Sequence, residues 1–317
     1  MKVAVVVVTY NRRDLLRSCL HSLTAQSRPV DRVVVVDNAS TDGTYEELTR
    51  SDAVDLVRLD QNRGSAGGFA AGGEAARAGE CDWIWLVDDD AEPAPDALER
   101  LLASGSADNP AVAALCPAVV LPDGTIDLKH RGTWRGRPRP LPASLYVSGT
   151  ASPVDFFTWV GPLLRASAAR AAGPPMAELF IWADDYEYSF RVRRQGELHL
   201  VPGSRVVHHD ARGSHHTRRS RLVNRLTGWD YEPAPYAAFW RNLCGIRNYV
   251  WLKRRYEDQS ALGAAGTTAQ FMLKALLYDD RPLQRLRWLA RFARDGRRGH
   301  FVRFGPEEWA AAREKQQ

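Results

Sequence analysis

Through the first third of the chain, short β-branched runs alternate with stretches in which leucine and alanine recur every three to four positions. Lys2 to Val8 and Arg32 to Val36 read as short buried strands. Between them Arg13 to Leu23 sets Leu15, Leu16, Leu20 and Leu23 at helical spacing, which makes a βαβ unit. Val54 to Leu59, Asp82 to Val87 and Val112 to Val120 predict further strands, and Thr44 to Arg50, Gly68 to Ala78 and Ala94 to Ala103 predict helices. Apolar strands separated by helices imply an α/β fold with a mostly parallel sheet covered on both faces. Ligands of such sheets bind beyond the carboxyl ends of the strands, so the chemistry is to be sought there.

The pattern changes twice further on. From Pro122 to Pro142 the chain turns to Gly, Pro and Arg, which predicts a hairpin or surface loop near the core, and residues 154 to 208 return to compact αβ character. After His209 it becomes basic and helical, with helices predicted over Tyr236 to Tyr256, Thr267 to Tyr278 and Pro282 to Arg294. The expected organisation is one α/β domain over residues 1–210, divided near residue 120, and a helical region over 211–317. Residues 211–303 hold seventeen Arg and two Lys against seven Asp and Glu, so the positive charge of the chain is concentrated there. Pro282 to Arg294 lines up Leu283, Leu286, Leu289, Ala290 and Ala293, with Arg285, Arg287, Arg291 and Arg294 largely outside that face. Such a helix either packs on the domain or on another subunit, which the two small alanines favour, or lies on an anionic membrane.

At 317 residues, 44% hydrophobic and 26% charged, the chain has the apolar content for a large core, which excludes a disordered protein. A net charge of +5 admits an anionic partner but does not choose among nucleotide, nucleic acid and lipid surface. Cys19, Cys81, Cys116 and Cys244 form no C-x-x-C pair, which argues against a zinc ribbon, a redox motif or a disulfide scaffold and fits a reducing cytosol. The Val3 to Val8 run is too short for a signal-peptide core, and no apolar stretch is long enough for a spanning helix. Any membrane contact is expected to be peripheral.

The strongest chemical signal is Asp88-Asp89-Asp90, directly after the apolar run Trp83 to Val87. Three adjacent carboxylates at the end of a buried strand repel one another unless a cation neutralises them, and oxygen ligands of this kind suit Mn²⁺ or Mg²⁺. In an extended segment Asp88 and Asp90 point the same way and Asp89 the other. The plain alternative is an acidic turn capping the next helix, although a cap needs one Asp and not three. A second cluster, Trp182-Ala183-Asp184-Asp185-Tyr186-Glu187, offers a carboxylate that could take a proton from an attacking hydroxyl. Equally, Asp184 or Asp185 could be an N-cap and Glu187 could pair with Arg191. His208-His209-Asp210 offers imidazole nitrogens to a metal, or simply a structural histidine.

Polar residues follow three consecutive strands: Thr9-Tyr10-Asn11-Arg12, Asp37-Asn38-Ala39-Ser40 and Asn62 to Gly68. They would converge on one crevice, where Asp37 can accept a hydrogen bond from a base imide or a ribose hydroxyl. The glycines around Gly67 either let backbone approach a ligand or form a turn opening a helix. They match neither a P-loop nor G-x-G-x-x-G.

Taken together, Val6 to Arg12, Val33 to Thr44, Asn62 to Gly73, Trp85 to Pro93, Trp159 to Pro162, Phe180 to Gly196 and Pro202 to His209 resemble the family 2 glycosyltransferases. The branch with galactofuranosyl and rhamnosyl transferases is the nearest. The resemblance implies a GT-A fold over residues 1–210, with a nucleotide-sugar half to about residue 120 and an acceptor half after it. It also implies an inverting, metal-dependent transfer from a UDP- or dTDP-linked sugar to a hydroxyl of a glycan, glycolipid or small natural product. By it Thr9, Asn11, Arg12, Asp37, Asn38, Asn62, Gly67 and Asp89 would hold the donor, and Asp88, Asp90 and His208 the metal. Asp185, with Asp184 beside it, would be the base, and Trp159 and Trp182 would shape the sugar and acceptor pocket. Ala183 departs from the commoner Trp-Asp-Asp form, which leaves the choice within the acidic pair open. Of the doubled histidines, His208, six residues after Pro202, matches better.

Two other classes compete. A nucleotidyltransferase would carry a Gly-rich phosphate loop after its first strand, where this chain has Thr9 to Arg12 with no glycine. A non-catalytic basic module binding nucleic acid or membrane is opposed by the intact carboxylates of both clusters, and no nucleic-acid-binding signature is present. The expected partners are therefore a nucleotide sugar and an acceptor, without nucleic acid. A homo-oligomer and peripheral contact with the inner face of the membrane fit the basic region.

Overall fold

The computed structural model describes residues 1–209, 218–227, 231, 233–256 and 261–315. The chain divides into two compact units, Met1–Ala177 with Asp185–Ala211, and Glu178–Asp184 with Arg212–Gln317.

In the first unit the elements run β1 (Val3–Thr9), α1 (Arg13–Thr24), β2 (Arg32–Asp37), α2 (Thr44–Leu48), β3 (Asp55–Arg58), α3 (Gly64–Arg77), β4 (Trp83–Asp88), β5 (Ala91–Pro93), α4 (Ala97–Leu102) and β6 (Val112–Val120). They continue with β7 (Arg131–Trp134), β8 (Pro138–Pro140), β9 (Ser152–Val154), β10 (Phe156–Phe157), β11 (Leu163–Arg165), α5 (Ala166–Ala172), α6 (Asp184–Arg193) and β12 (Glu197–His208). The main sheet has the order β3-β2-β1-β4-β11-β6-β12-β5, with β9 also on β12, and β10-β7-β8 form a small second sheet. Strands β3, β2, β1 and β4 are parallel, so Asp37, Thr9 and Asp88 end up along one edge. Alternation sends Val6, Val8, Val34, Val36 and Leu86 to one core layer and Val5, Val7, Val35, Trp85 and Val87 to the other. This is the mixed, mostly parallel sheet of the GT-A fold.

Two departures from the expected elements concern the site. Helix α3 starts at Gly64, so the glycine run lies inside the helix instead of ahead of it. Its reason is packing: a Cβ on Gly68 would stand 2.3 Å from Val8 Cγ1, and one on Gly72 2.3 Å from Val6 Cγ1, so only glycine lets α3 settle on β1. Strand β5, which no periodicity announced, pairs antiparallel with the end of β12 and matches Val206 with Pro93, Val207 with Glu92 and His208 with Ala91. Strand β12 also runs parallel to β6, but its register shifts between Val201 and Arg205, where the Ser204 hydroxyl donates to Ala97 O at 2.9 Å.

The second unit is helical: α7 (Arg218–Thr227), α8 (Trp240–Tyr256), α9 (Ala261–Tyr278), α10 (Pro282–Arg298) and α11 (Pro306–Glu314). Its core gathers Phe239 and, from α8, Leu243, Ile246 and Val250 with Leu289, Phe292 and Ala293 of α10 and Trp309 of α11. Of the expected apolar face of α10, Leu289 and Ala293 are thus packed within the unit, Leu286 and Ala290 are half-buried, and Leu283 is exposed. Arg285, expected outside that face, is buried, with Nη1 3.5 Å from Asp279 and Nη2 donating to Ala234 O at 2.9 Å and to Asp280. The Glu178–Asp184 segment belongs to this unit: Asn248 Nδ2 reaches the carbonyls of Leu179, Ile181 and Trp182 at 2.8, 3.0 and 2.8 Å, and Phe180 joins the core. Phe180, Trp182 and Ala183 all take positive φ there, a strained path for residues with a Cβ. Among the described residues no helix is long and apolar enough to cross a membrane.

Candidate active site

The acidic triad sits where β4 leaves the sheet. Val8 pairs with Asp88, so the triad emerges beside Thr9 at the end of β1. Asp88 is half-buried and Asp89 and Asp90 are buried. Asp89 turns to the β1 side, accepting from Thr9 Oγ1 at 2.8 Å and from Arg12 Nη1 at 3.0 Å. The same Arg12 nitrogen donates to Asp90 Oδ2 at 2.7 Å, and His208 Nε2 stands 3.4 Å from Asp90 Oδ1. The β5–β12 ladder brings His208 there, and His209 N closes it by donating to Asp90 O at 2.8 Å.

The electrostatics separate the two buried carboxyls. Burial and the neighbouring Asp90 push Asp89 up to about 6 against the pull of Arg12. Burial works the same way on Asp90, but the His208 hydrogen bond and Arg12 outweigh it and hold its carboxyl below the usual range. Asp90 therefore stays an anion with its oxygens turned to a guanidinium and an imidazole.

Beside His208 stands a pair that the sequence had hidden in the Gly- and Pro-rich stretch. Asp127, His130 and His208 bring one ligand atom each within 4.8 Å of one another. The His130 ring meets His208 edge-on at 4.9 Å; its Nε2 lies 3.2 Å from Asp127 Oδ2 and its Nδ1 2.7 Å from Thr158 Oγ1. Burial lowers His130 to about 4, so it is neutral at pH 7, whereas the His130 contact overrides burial at Asp127 and depresses its carboxyl. The signal available in sequence was the spacing Asp127-x-x-His130, too common in turns to single out. The next residue, Arg131, is fully buried and donates to the backbone carbonyls of Pro117, His130 and Val160.

A metal could be held at His208 by Asp127 and His130, the group whose ligand atoms lie together among the described residues, or, as the family resemblance implies, by Asp88, Asp90 and His208. The two carboxylates and one imidazole of the latter set suit Mn²⁺ or Mg²⁺, the former set is richer in nitrogen, and the buried His208 Nδ1 has no hydrogen-bond partner among the described residues.

The proposed nucleoside residues gather on the same edge, several of them already engaged. Asp37 accepts from Ser40 N at 2.9 Å and from Arg58, whose guanidinium stacks on Tyr45. Asn38 accepts from Arg63 N at 2.8 Å and donates to Gly64 O at 2.9 Å, while Asn62 accepts from Gly64 N at 2.8 Å. These amides fix the turn into α3. Asn11, at positive φ, accepts from Thr41 N at 2.7 Å and ties the β1 and β2 loops together. Gly67 lies in the first turns of α3, where a Cβ would meet that of Arg63 at 2.4 Å. Arg58, Tyr45 and Thr41 were missed in the sequence because nothing in their spacing marks them.

Of the two tryptophans, Trp159 is buried in the core, stacked on Phe69 at 4.5 Å and beside Tyr188 at 5.6 Å, so it can only back the wall of a pocket. Trp182 is half-buried and belongs to the helical unit, with Gly245 beneath its indole. At the start of α6, Asp184 is buried and Asp185 half-buried, with Asp185 Oδ1 accepting from Tyr186 N at 2.8 Å. Glu187 is taken up by Arg191 in a two-point pair at 2.8 Å on each oxygen, which removes it from the candidate bases.

A parallel sheet ending in an acidic triad, with a histidine delivered by a mixed edge, is the arrangement of the GT-A class. Residues 4–163 match the model of glycosyl transferase family 2, and the chain belongs to that family. It is 34% identical over 205 residues to galactofuranosyltransferase GlfT1 of Mycolicibacterium smegmatis, covering 61% of this chain and 66% of that one. It is 28% identical over 289 residues to the N-acetylglucosaminyl-diphospho-decaprenol L-rhamnosyltransferase of Mycobacterium tuberculosis, covering 78% and 92%. The chain thus spans just under two thirds of the length of the galactofuranosyltransferase it matches. Among solved structures, GalNAc-T7 with UDP, GalNAc and Mn²⁺ superposes with a TM-score of 0.58 at 16% identity, over 80% of this chain and 48% of that one.

Proposed function

We propose that the chain transfers a sugar, with inversion, from a UDP- or dTDP-linked donor to a hydroxyl of a glycan or glycolipid, and that Mn²⁺ or Mg²⁺ serves the reaction. The observation that carries this reading is the sharing of Asp90 between Arg12 and His208 at the carboxyl ends of the parallel strands. An ionised carboxylate beside an imidazole supports the binding of a dication at this edge, and the guanidinium of Arg12 supports that of an anionic diphosphate. The galactofuranosyl and rhamnosyl relatives favour a furanose or deoxyhexose donor.

In this reading the edge residues Thr9, Asn11, Asp37 and Asn62 orient the nucleoside. Asp88, Asp90 and His208 hold the metal, which when bound offsets charge developing on the leaving diphosphate. Asp185 accepts the proton of the acceptor hydroxyl as its oxygen bonds to the anomeric carbon. The bond from that carbon to the diphosphate breaks, and nucleoside diphosphate leaves with the electron pair. Half-exposure favours Asp185 over buried Asp184, since a base must reach its substrate.

The test is release of UDP or dTDP from a panel including UDP-galactofuranose and dTDP-rhamnose, with glycan acceptors, in Mn²⁺ and in EDTA. Turnover is expected in Mn²⁺ and not in EDTA, with Asp88→Ala and Asp90→Ala losing most of it while melting normally. Full turnover in EDTA would remove the metal from the scheme, and a preference for a nucleoside triphosphate would remove the donor.

A further inference from the structure

In the helical unit, one side of α9 meets solvent without a charge. Ala265, Gly266, Ala269, Gln270, Leu273 and Leu276 are exposed along it, the two leucines at 43% each. A Cβ built on Gly266 would meet nothing within 4 Å. A surface helix in water ordinarily carries charges on such a face. Exposed leucines occur also on two of the helices that pack on α9. Leu222 and Leu226 of α7 are 57% and 76% exposed, and Leu283 at the start of α10 is 72% exposed.

The charges beside these leucines have one sign. Arg221 and Arg225 alternate with Leu222 and Leu226 on the exposed side of α7, and Arg281 and Arg287 flank Leu283. Arg221, Arg225 and Arg287 make no ion pair among the described residues. The acidic residues of the adjoining turn, Asp279 and Asp280, are taken up by buried Arg285. Exposed leucines interleaved with uncompensated arginines suit a surface that is apolar below and anionic above. A second copy of the chain would bring the same arginines face to face, which opposes self-association here.

We propose that the α7–α9–α10 face is a peripheral membrane-docking surface that takes anionic phospholipid, with the leucines entering the headgroup boundary and the arginines pairing with lipid phosphates. Of the apolar side of α10, Leu289 and Ala293 are taken up by the core of the unit, and Leu283 at its start is left to this face. It does not depend on the donor or the metal, so failure of the transfer scheme would leave it standing.

The test is sedimentation of the full chain with phosphatidylglycerol/phosphatidylcholine vesicles at low and high salt, beside vesicles of phosphatidylcholine alone. Binding is expected only to the anionic vesicles, weakened at high salt, and reduced at least tenfold in Leu222→Ser/Leu226→Ser and in Arg221→Gln/Arg225→Gln. Both pairs of side chains are exposed, so the melting temperature should hold. Three outcomes would overturn the proposal: no binding at low salt, binding that both double variants retain, or a wild-type dimer that the serine variant renders monomeric.

Discussion

Asp184 and Asp185 are adjacent carboxylates with different surroundings, one buried and one half-buried at the start of α6. Asp185→Asn is expected to keep nucleotide binding, read by thermal shift, while cutting turnover about a hundredfold or more, the scale of a lost general base. Asp184→Asn should do less to turnover, and the reverse ranking would exchange their roles. His130 makes a prediction in pH. Its folded value of about 4 lies below the ordinary 6.5 because of burial. A depressed histidine contributes stability that is present above pH 6.5 and is lost as pH falls through 4, at most about 3 kcal/mol. Melting curves between pH 7 and 4 should therefore fall less steeply for His130→Gln than for wild type. That the acidic triad follows an apolar strand was legible in the sequence, while His208 was singled out only by the family resemblance, and folding brings it to Asp90. Asp127, His130 and Arg58 were not legible, since their roles arise from partners brought together only by folding.

At the scale of elements, periodicity located every strand of the parallel half to within a residue or two, since burial on both faces leaves runs such as Val3–Thr9 that nothing else produces. It failed where an element is held by tertiary contact alone. Strand β5 has three residues and no pattern of its own, and the glycines of α3 lowered the apparent helix propensity of its first turns. Those glycines are not equivalent. Gly68→Ala and Gly72→Ala would each force a methyl to 2.3 Å from a valine of β1, and each is expected to destabilise by roughly 1–3 kcal/mol or more. Gly73 has nothing nearer than the Arg77 guanidinium at 3.5 Å, so Gly73→Ala should stabilise by about 0.5–1 kcal/mol. Urea melts of the three variants check the contrast; equal effects would show that helix propensity, and not contact with β1, decides.

For the whole molecule, a boundary after residue 210 suggested by the shift in composition overlooks that Glu178–Asp184 belongs with the helices. Seven residues carry too little pattern to reveal their allegiance, which rests on Asn248 and the burial of Phe180. Asn248→Leu removes hydrogen bonds from three carbonyls and should destabilise the helical unit by roughly 2–4 kcal/mol, read by denaturant melts. A chain ending at residue 211 should expose Phe180 and aggregate on expression, whereas a soluble, monodisperse fragment would contradict this account. Three extra residues, Pro202, Gly203 and Ser204, separate the two registers of β12 against β6. Because successive side chains of a strand face opposite ways, the parity of that insertion decides which histidine meets Asp90. An in-frame deletion of one codon at Gly203 would invert everything downstream and turn His208 away, while leaving each amino acid of the site unchanged. Insertions and deletions at this spot are therefore expected to be far less tolerated than substitutions, as a deep mutational scan scored on nucleotide-sugar turnover would reveal.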